Sequence, residues 1–581
     1  MRFETSSNAN VKRDRRAAGL ILLTPAGQVL VGERALDLPL FGGFTAFPGG
    51  MLQAEDIEVA AALFGESSDG AIIRAAALRE LFEEAGVYLD GQRLIAAPPE
   101  LRTRPFLEMH RVMGRPRPAR HNVDGAEQTY DLGGLIEAGR WHTPEFAPSS
   151  IDAHFFCAIV VEAPTALTPS PCSTLAPSPA PASDHGLGRS PDPGRDPARA
   201  EMTNLRFEDP TRVLEARERF EVTLALPTQM QLQALASATT HTTHTTHTTY
   251  TTHTTHTTRA RPAPYRAPVH DIHDIHVIAR QLRALVGARG ETVTHLEVLP
   301  NIVVVPLKTP TLPPATHTNT YLLGGERWII VDPATYTSEE REKLLEAIDE
   351  HAKGRVEAIV LTHHHADHIG SASWLADRLS VPIRAHPITR TLLAGKVPIT
   401  ETLDEGDTLD LGLDARGRHF LLSVLFTPGH APGHIVLVDE REGARALIAG
   451  DMVAGLGSII IDPPDGNMAT YLMQLTRLLA LPDKILLPAH GPLVVGSHRK
   501  LSAYIEHRNA RESLILDALG TGELLKHPVD LLDKAYADTP RFLHPLAARS
   551  CLAHLEKLAA EGRVTREGNQ FRRTATDPGK A

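Results

Sequence analysis

At 581 residues, 42% hydrophobic and 22% charged, the chain has the composition of a globular protein and is too long for one core, so about two to four domains are expected. A net charge of −11 excludes a global basic footprint for nucleic acid, though not a local patch. No run reaches the roughly 18 apolar residues of a membrane span, and Met1 to Arg16 lacks the apolar stretch of a secretory signal. Cys157, Cys172 and Cys551 lie far apart and match no ligand spacing, so they read as free thiols in a reducing compartment, with a cytoplasmic location as the expectation.

The first element with a chemical signature is a helix. Ala75 to Glu84 are good helix formers, and Gly86 is a plausible stop. Arg79-Glu80-Leu81-Phe82-Glu83-Glu84-Ala85-Gly86-Val87 sets Glu80 three residues before Glu83 and four before Glu84, which brings the three carboxylates to one side. Such carboxylates repel one another unless a cation neutralises them, and oxygen-only ligands suit Mg²⁺, often together with substrate phosphates. A solvated acidic face is the bland alternative; Arg79, Gly86 and the preceding Phe47-Pro48-Gly49-Gly50 favour a site.

These residues resemble the Nudix family of diphosphate hydrolases, an α/β/α fold. The resemblance implies Glu83 and Glu84 as ligands of Mg²⁺ or Mn²⁺, and Glu80 as a ligand or catalytic base. The first acid of the family's box is Asp56 or Glu55, and a long insertion precedes Arg79, as in the branch that includes coenzyme A diphosphatases. Leu22-Leu23-Thr24 and the stretch from Gly43 to Gly50 match that branch's upstream signature in part. Trp141 to Phe156 and Leu226-Pro227-Thr228 resemble its later parts. The first domain is therefore placed at 1–238.

Residues of about 165–200 are rich in Pro, Ser and Ala without periodicity, and are expected to be a disordered insertion inside that domain. From Thr239 to Thr258 the chain repeats Thr-Thr-His, and 239–276 is read as a low-complexity His/Thr linker rather than a metal-binding tract. Val277 to Val286 has the pattern of a short amphipathic helix.

Next, the apolar run Val356 to Leu361 ends on Thr362-His363-His364-His365-Ala366-Asp367-His368, which places T-H-x-H-x-D-H on a loop at a strand's end. Imidazole and carboxylate are suited to zinc and similar ions. Among 30 His such a motif could be chance, but three more candidate ligands each end a short apolar run: His430 after Phe426-Thr427-Pro428-Gly429, Asp451 after Leu447-Ile448-Ala449-Gly450, and His490 after Leu487-Pro488-Ala489. His364 sits between ligands and by alternation points away, in a packing or loop role. His434 is read as a structural residue or one that orients a ligand.

This set resembles the metallo-β-lactamase superfamily, a four-layer αββα sandwich, over 290–500. The resemblance implies one zinc held by His363, His365 and His430, a second by Asp367, His368 and His490, and Asp451 bridging them. With Asp rather than Cys at 451, the set is similar to the glyoxalase II, ribonuclease and related hydrolase branches. Two cations about 3.5–4 Å apart can share a water, lower its pKa to about 7 and polarise the attacked carbonyl or phosphoryl oxygen, so no Ser or Cys nucleophile is required. Asp367 is the candidate catalytic residue at this centre. The ligands give the reaction type, hydrolysis, and leave the substrate-binding residues unassigned.

At the C-terminus, over 503–575, the pattern predicts a helix from Tyr504, a second over Val529 to Tyr536, a third over Leu546 to Glu561 and a hairpin around Gly568, an order that resembles a winged helix. Leu552, Leu555 and Leu558 form a stripe read as core, while Arg563, Arg566, Arg572 and Arg573 are either phosphate contacts or a solvated wing. The combination resembles the β-lactamase-like endoribonucleases, as do Asn319-Thr320-Tyr321-Leu322 and His544-Pro545. The expectation is a two-zinc hydrolase of single-stranded RNA or of a thioester, fused to a Mg²⁺-dependent diphosphate hydrolase of nucleoside or coenzyme A type. The alternatives are activity residing mainly in the Nudix-like domain, a glyoxalase II-like thioesterase, and a winged-helix nucleic-acid binder without catalysis. The partner is a small molecule or single-stranded RNA, with no membrane.

Overall fold

The computed structural model describes residues 15–113, 135–164, 202–245 and 293–574, less positions 39–40, 91, 103, 145–146, 148–149, 314 and 522–523, with Leu167, Ile278, Ala279 and Leu282 in addition. These fall in two compact units, Met1–Val293 and Thr294–Ala581. The Pro-rich insertion apart from Leu167, the Thr/His tract beyond Thr245, the repeat from His270 to His276, and Cys172 lie outside the described residues. Of the helix expected at 277–286, Ile278, Ala279 and Leu282 are described, helical and buried.

In the first unit the strand Arg15–Leu23 is central. It runs parallel to Ile151–Ile159 and antiparallel to Val29–Arg34 and Gly49–Met51. Strand residues alternate between faces, and both faces here are apolar. Leu20, Leu22, Phe156 and Ala158 pack with Leu78, Leu81 and Phe82 of the helix Asp69–Ala85. Ile21, Leu23, Cys157 and Ile159 pack with Val213 and Leu235 of the helices Pro210–Glu218 and Leu226–Thr245. The result is an α/β/α sandwich. Ser68 Oγ caps the first of these helices by accepting from Ala71 N, and Gly86 ends it at φ 64°. The helix Leu226–Thr245 continues seven residues past the boundary expected at 238.

The second unit holds two facing sheets. One has seven strands in the order Leu296–Leu299, Ile302–Lys308, His317–Gly324, Trp328–Val331, Val356–Leu361, Ile383–Ala385, Glu401–Thr402. The other has six: Thr408–Leu413, His419–Phe426, Ile435–Asp439, Ala446–Gly450, Ile485–Pro488, Val494–Val495. Ala358 and Val360 point between the sheets, where they meet Phe420, Leu422 and Ile448. Their neighbours Ile359 and Leu361 point outward against Leu344, Ala347 and Leu375 of the helices Ser338–Ala347 and Ala372–Leu379. On the far side Val436, Val438 and Leu447 pack with Tyr471, Leu475 and Leu501 of the helices Met468–Leu479 and Ser497–Leu519. This is the αββα order, and it explains the unbroken apolar runs: strands buried on both faces need no polar alternation.

The C-terminal helices differ from expectation at their ends. The first begins at Ser497, seven residues early, because Asp483, fourteen residues upstream, accepts from His498 N at 3.0 Å and caps it. The second is a 3-10 turn, Pro528–Leu531, followed by the single turn Leu532–Ala535. The third runs over His544–Ala560 with Leu555 and Leu558 fully buried, and the hairpin Val564–Glu567/Gln570–Arg573 turns at Gly568, φ 61°. No described helix is long and apolar enough to cross a membrane.

Candidate metal centre

Four strand ends of the second unit deliver side chains to one place. The loop after Val356–Leu361 carries His363 and His365, and the short turn Ala366–Ile369 carries Asp367 and His368. His430, Asp451 and His490 follow the strands His419–Phe426, Ala446–Gly450 and Ile485–Pro488. His363 Nε2 and His430 Nε2 stand 2.9 and 3.0 Å from His365 Nδ1. His490 Nε2 lies 3.5 Å from Asp367 Oδ2 and 3.4 Å from Asp451 Oδ1, while Asp451 Oδ2 is 3.3 Å from His430 Nε2 and 3.7 Å from His368 Nε2. Ligand atoms within 4.8 Å of one another form three overlapping groups: His363, His365 and His430; His363, His368 and Asp451; Asp367, His368 and His490. The structure thus gathers all seven residues singled out in this part of the sequence.

The far nitrogens of these rings are also held. His430 Nδ1 is 3.0 Å from Ile460 O, and His490 Nδ1 is 3.1 Å from His317 O. A carbonyl only accepts, so each Nδ1 carries a proton, and each Nε2 is the atom turned to the centre. His363 Nδ1 is 3.0 Å from Thr362 Oγ1, and His368 Nδ1 is 2.8 Å from Asp332 Oδ2. Fixing the outer nitrogen sets the orientation and basicity of a metal-ligating imidazole.

Charge follows the same plan. Burial, with the neighbouring His368, holds His363 well below the ordinary histidine value, and burial with His430 brings His365 down to about 3. Burial also lowers His430. These rings stay neutral, as ligands require. Burial opposes the charge on Asp451, but His490 and His368 outweigh it and bring the carboxyl well below its usual range. His368 and His490 shift upward: burial would lower them, and Asp451 overrides it. His368 Nε2 and Asp451 Oδ1 are buried without a hydrogen bond. Three neutral rings, two rings whose charge Asp451 favours, and carboxylate oxygens face one another across a buried space, a set of nitrogen and oxygen ligands that fits divalent cations.

His364 takes no part in the groups formed by the seven residues; its Nε2 lies 2.9 Å from Asp465 Oδ2, and with His365 the two make a further ligand-type group at the edge of the centre. His434 supports the bridge position: its Nε2 accepts from Asp451 N at 3.0 Å, and its Nδ1 lies 2.9 Å from Thr427 Oγ1. A Cβ on Gly450, φ 48°, would stand 2.5 Å from His434 Nε2, so the close approach requires glycine.

Two carboxylates escaped the sequence reading. Asp332, buried, accepts from Thr362 N at 2.8 Å and Thr362 Oγ1 at 2.6 Å and fixes His368. Its signal was present, because it ends the apolar strand Trp328–Val331 just as the ligands end theirs. Asp465, beside His364 and 3.7 Å from His365 Nε2, had none. A further ligand-type group, His295, Glu350 and His351, lies outside the centre, where Glu350 is a largely exposed ion-pair partner of His295 at 3.2 Å.

In the first unit the carboxylates are organised differently. Arg79 is fully buried; its Nε donates to Asp56 Oδ1 at 2.7 Å, and its Nη1 to Glu80 Oε1 at 2.9 Å and Glu83 Oε2 at 2.8 Å. Glu55 stays 3.6 Å away, so Asp56 is the acid paired with Arg79. The insertion between them folds as the helix Asp56–Phe64 and a short loop. Gly49 N donates to Glu84 Oε2 at 2.7 Å, and a Cβ on Gly50 would meet the Glu80 carboxylate at 2.5 Å. Gly50 therefore lets the strand lie against Glu80, while Gly49, at φ 159°, lets it lie close to the backbone of Ala18 and Gly19. Burial raises the Glu83 carboxyl to about 7; Arg79 opposes the rise, and Glu80 and Glu55 add to it. Glu80, Glu83 and Glu84 do not form a ligand group within 4.8 Å among the described residues.

Residues 313–490 match the family model of the metallo-β-lactamase superfamily. Residues 528–573 match the β-lactamase-associated winged helix domain, and residues 13–154 the NUDIX domain. A β-lactamase-like protein 2 homolog of Drosophila melanogaster is 31% identical over 258 residues, 42% of this chain and 84% of that protein. The chain belongs to the metallo-β-lactamase superfamily. The corresponding Caenorhabditis elegans homolog is 29% identical over 248 residues, 42% of this chain and 80% of that protein. A β-lactamase domain protein from Burkholderia ambifaria, of known structure, is 24% identical at a TM-score of 0.42, covering 48% of this chain and 93% of its own. Both the metallo-β-lactamase and the Nudix domain mark the chain as a hydrolase-type enzyme, of families that generally bind divalent metals.

Three arginines of the winged helix of this metallo-β-lactamase protein are ion-paired with acidic side chains of the same domain. Arg563 Nη1 donates to Glu512 at 2.8 Å and Arg566 Nη1 to Glu556 at 2.9 Å, while Arg572 is 3.1 Å from Glu567. Three of the four arginines proposed as phosphate contacts thus have acidic partners within the domain.

Proposed function

We propose that the second unit is a dinuclear zinc hydrolase that cleaves a phosphodiester of single-stranded RNA. One ion would sit on His363, His365 and His430, the other on Asp367, His368 and His490, with Asp451 between them. Bound there, the two ions supply Lewis acidity and lower the pKa of a shared water. The observation that carries the reading is the set of ring nitrogens and carboxylate oxygens turned inward while carbonyls and Asp332 hold the outer nitrogens. Asp367 is the residue to which we assign the catalytic role beside its ion, and Asp332, through His368, would keep that half of the site in position. Cleavage of labelled single-stranded RNA by zinc-loaded protein, with the Asp451→Ala protein alongside, tests it; cutting by wild type alone is the expected result, and equal cutting by both rejects it.

A thioester is the second reading, favoured by the internal pairing of the wing arginines, which diminishes a phosphate-binding surface. Hydrolysis of S-lactoylglutathione without RNA cleavage would select it. For the first unit we propose a Mg²⁺- or Mn²⁺-dependent hydrolase of a nucleoside or coenzyme A-type diphosphate, with Glu83 and Glu84 as ligands and Glu80 as ligand or base. Loss of diphosphatase activity in the Glu83→Gln, Glu84→Gln protein is the expected outcome; full retention removes the assignment.

A further inference from the structure

The loop that joins the strand Ala446–Gly450 to the helix Met468–Leu479 touches the metal centre at two points. Ile460 O accepts from His430 Nδ1, and Asp465 meets the outer sides of His364 and His365. The opposite side of this loop is held by the two long helices at the C-terminus. Lys500, Tyr504 and Arg508 occupy one face of the helix Ser497–Leu519 at intervals of four. Lys500 Nζ donates to Gly455 O at 3.1 Å, Tyr504 Oη to Gly457 O at 2.9 Å, and Arg508 Nη2 to Ile459 O. Successive turns of the helix thus grip alternate carbonyls of the loop, and the last gripped carbonyl is one residue before the one that holds His430. From the helix His544–Ala560, Arg549 pairs with Asp462. Ala553 of the same helix packs in the core that contains Tyr471, Leu501 and Tyr504.

We infer that the C-terminal helices are positioning elements of the metal centre, in which Arg508 and Arg549 hold the 455–465 loop so that Ile460 O and Asp465 fix His430, His364 and His365. This rests on the two-ion reading above. A carbonyl acts on a ligand ring only while its backbone is held in place. A loop without regular structure has no ladder of its own to do so, and here side chains of the helices supply the missing bonds. The C-terminal module then belongs to the hydrolytic unit whatever it binds on its outer surface.

The test uses the full chain. Arg549 is half exposed and Asp462 is at the surface of the fold, so Arg549→Ala and Asp462→Ala spare the core. Zinc affinity is measured by competition with a chelator, and hydrogen exchange is followed in peptides that span 455–465. Both variants are expected to lose about tenfold in zinc affinity, the lower end of what outer partners of a metal ligand contribute, and to exchange faster in that loop at a nearly unchanged melting temperature. The swapped pair Arg549→Asp, Asp462→Arg is expected to regain both. Arg508→Lys, which keeps the charge and gives up the planar fork, is expected to fall between wild type and Arg549→Ala. Unchanged affinity and unchanged exchange in both alanine variants overturn the inference and leave the two-ion reading standing. That reading has its own readout in the same experiment, because a wild-type chain that takes up fewer than two zinc ions contradicts it.

Discussion

The two acidic and basic clusters of this chain solve the same problem in opposite ways. In the metallo-β-lactamase domain the ligand-type atoms face one another, and four of the five imidazoles are aimed by a bond on the outer side. In the Nudix domain the carboxylates lean on Arg79, which holds Asp56, Glu80 and Glu83 together. The difference lies in the groups. Buried imidazoles such as His363, His365 and His430 become neutral and can wait beside one another, whereas clustered carboxylates repel and need an internal cation. A histidine site can therefore be fully assembled in advance, while the carboxylate cluster is assembled around Arg79.

The largest expected effect tests the first half of that contrast. Asp451→Ala removes the only carboxylate shared by both ligand sets, and turnover is expected to fall about a thousandfold or more, the scale on which one preorganised electrostatic group acts; zinc per chain and kcat/KM check it. Retention of turnover would erase the contrast. Arg79→Ala addresses the second half. It leaves Asp56 buried without its cation, and unfolding of the Nudix domain is expected to become easier by about 3–5 kcal/mol, measured by denaturant titration. Rescue of that variant by Mg²⁺ would show that the carboxylates accept either cation. Asp332→Ala is a milder break. Freeing the outer nitrogen of His368 is expected to cost about 10–100-fold in zinc affinity, with the second-ion position affected most, read by chelator competition.

The smallest effect is one of sign. Glu83 has its carboxyl raised to about 7, so between about pH 4.5 and 7 the folded Nudix domain holds a proton that the unfolded chain has released. Its contribution is full below 4.5 and is lost as pH rises through 7. Glu512 behaves in reverse. Burial would raise its carboxyl, but His554, Lys557 and, at 2.8 Å, Arg563 surround it, and it is brought down to about 2. Its contribution to the winged helix is full above 4.5 and is lost as pH falls through 2. Thermal melts across these windows are expected to slope in opposite directions for the two domains. Glu83→Gln and Glu512→Gln should each flatten their own slope, and a persistent slope would assign the effect to another group.

The sequence alone singled out the seven side chains that the structure gathers at the candidate metal centre, since metal chemistry demands particular residue types and the apolar runs before them mark strand ends. It also determined the sandwich, because strands apolar on both faces require layers on both sides. Tertiary structure decided what holds those ligands. Asp332 lies 36 residues from His368, Asp465 lies 101 from His364, and Arg549 is far along the chain from the loop it meets. It decided which acid pairs with Arg79, because the insertion had to fold before Asp56 could be told from Glu55. It set the start of the helix at Ser497 through Asp483, and it paired three wing arginines with acidic side chains. Ligand identity is written locally because each ion needs only a few donor types. Their orientation depends on hydrogen bonds between segments remote in sequence, which no local pattern encodes.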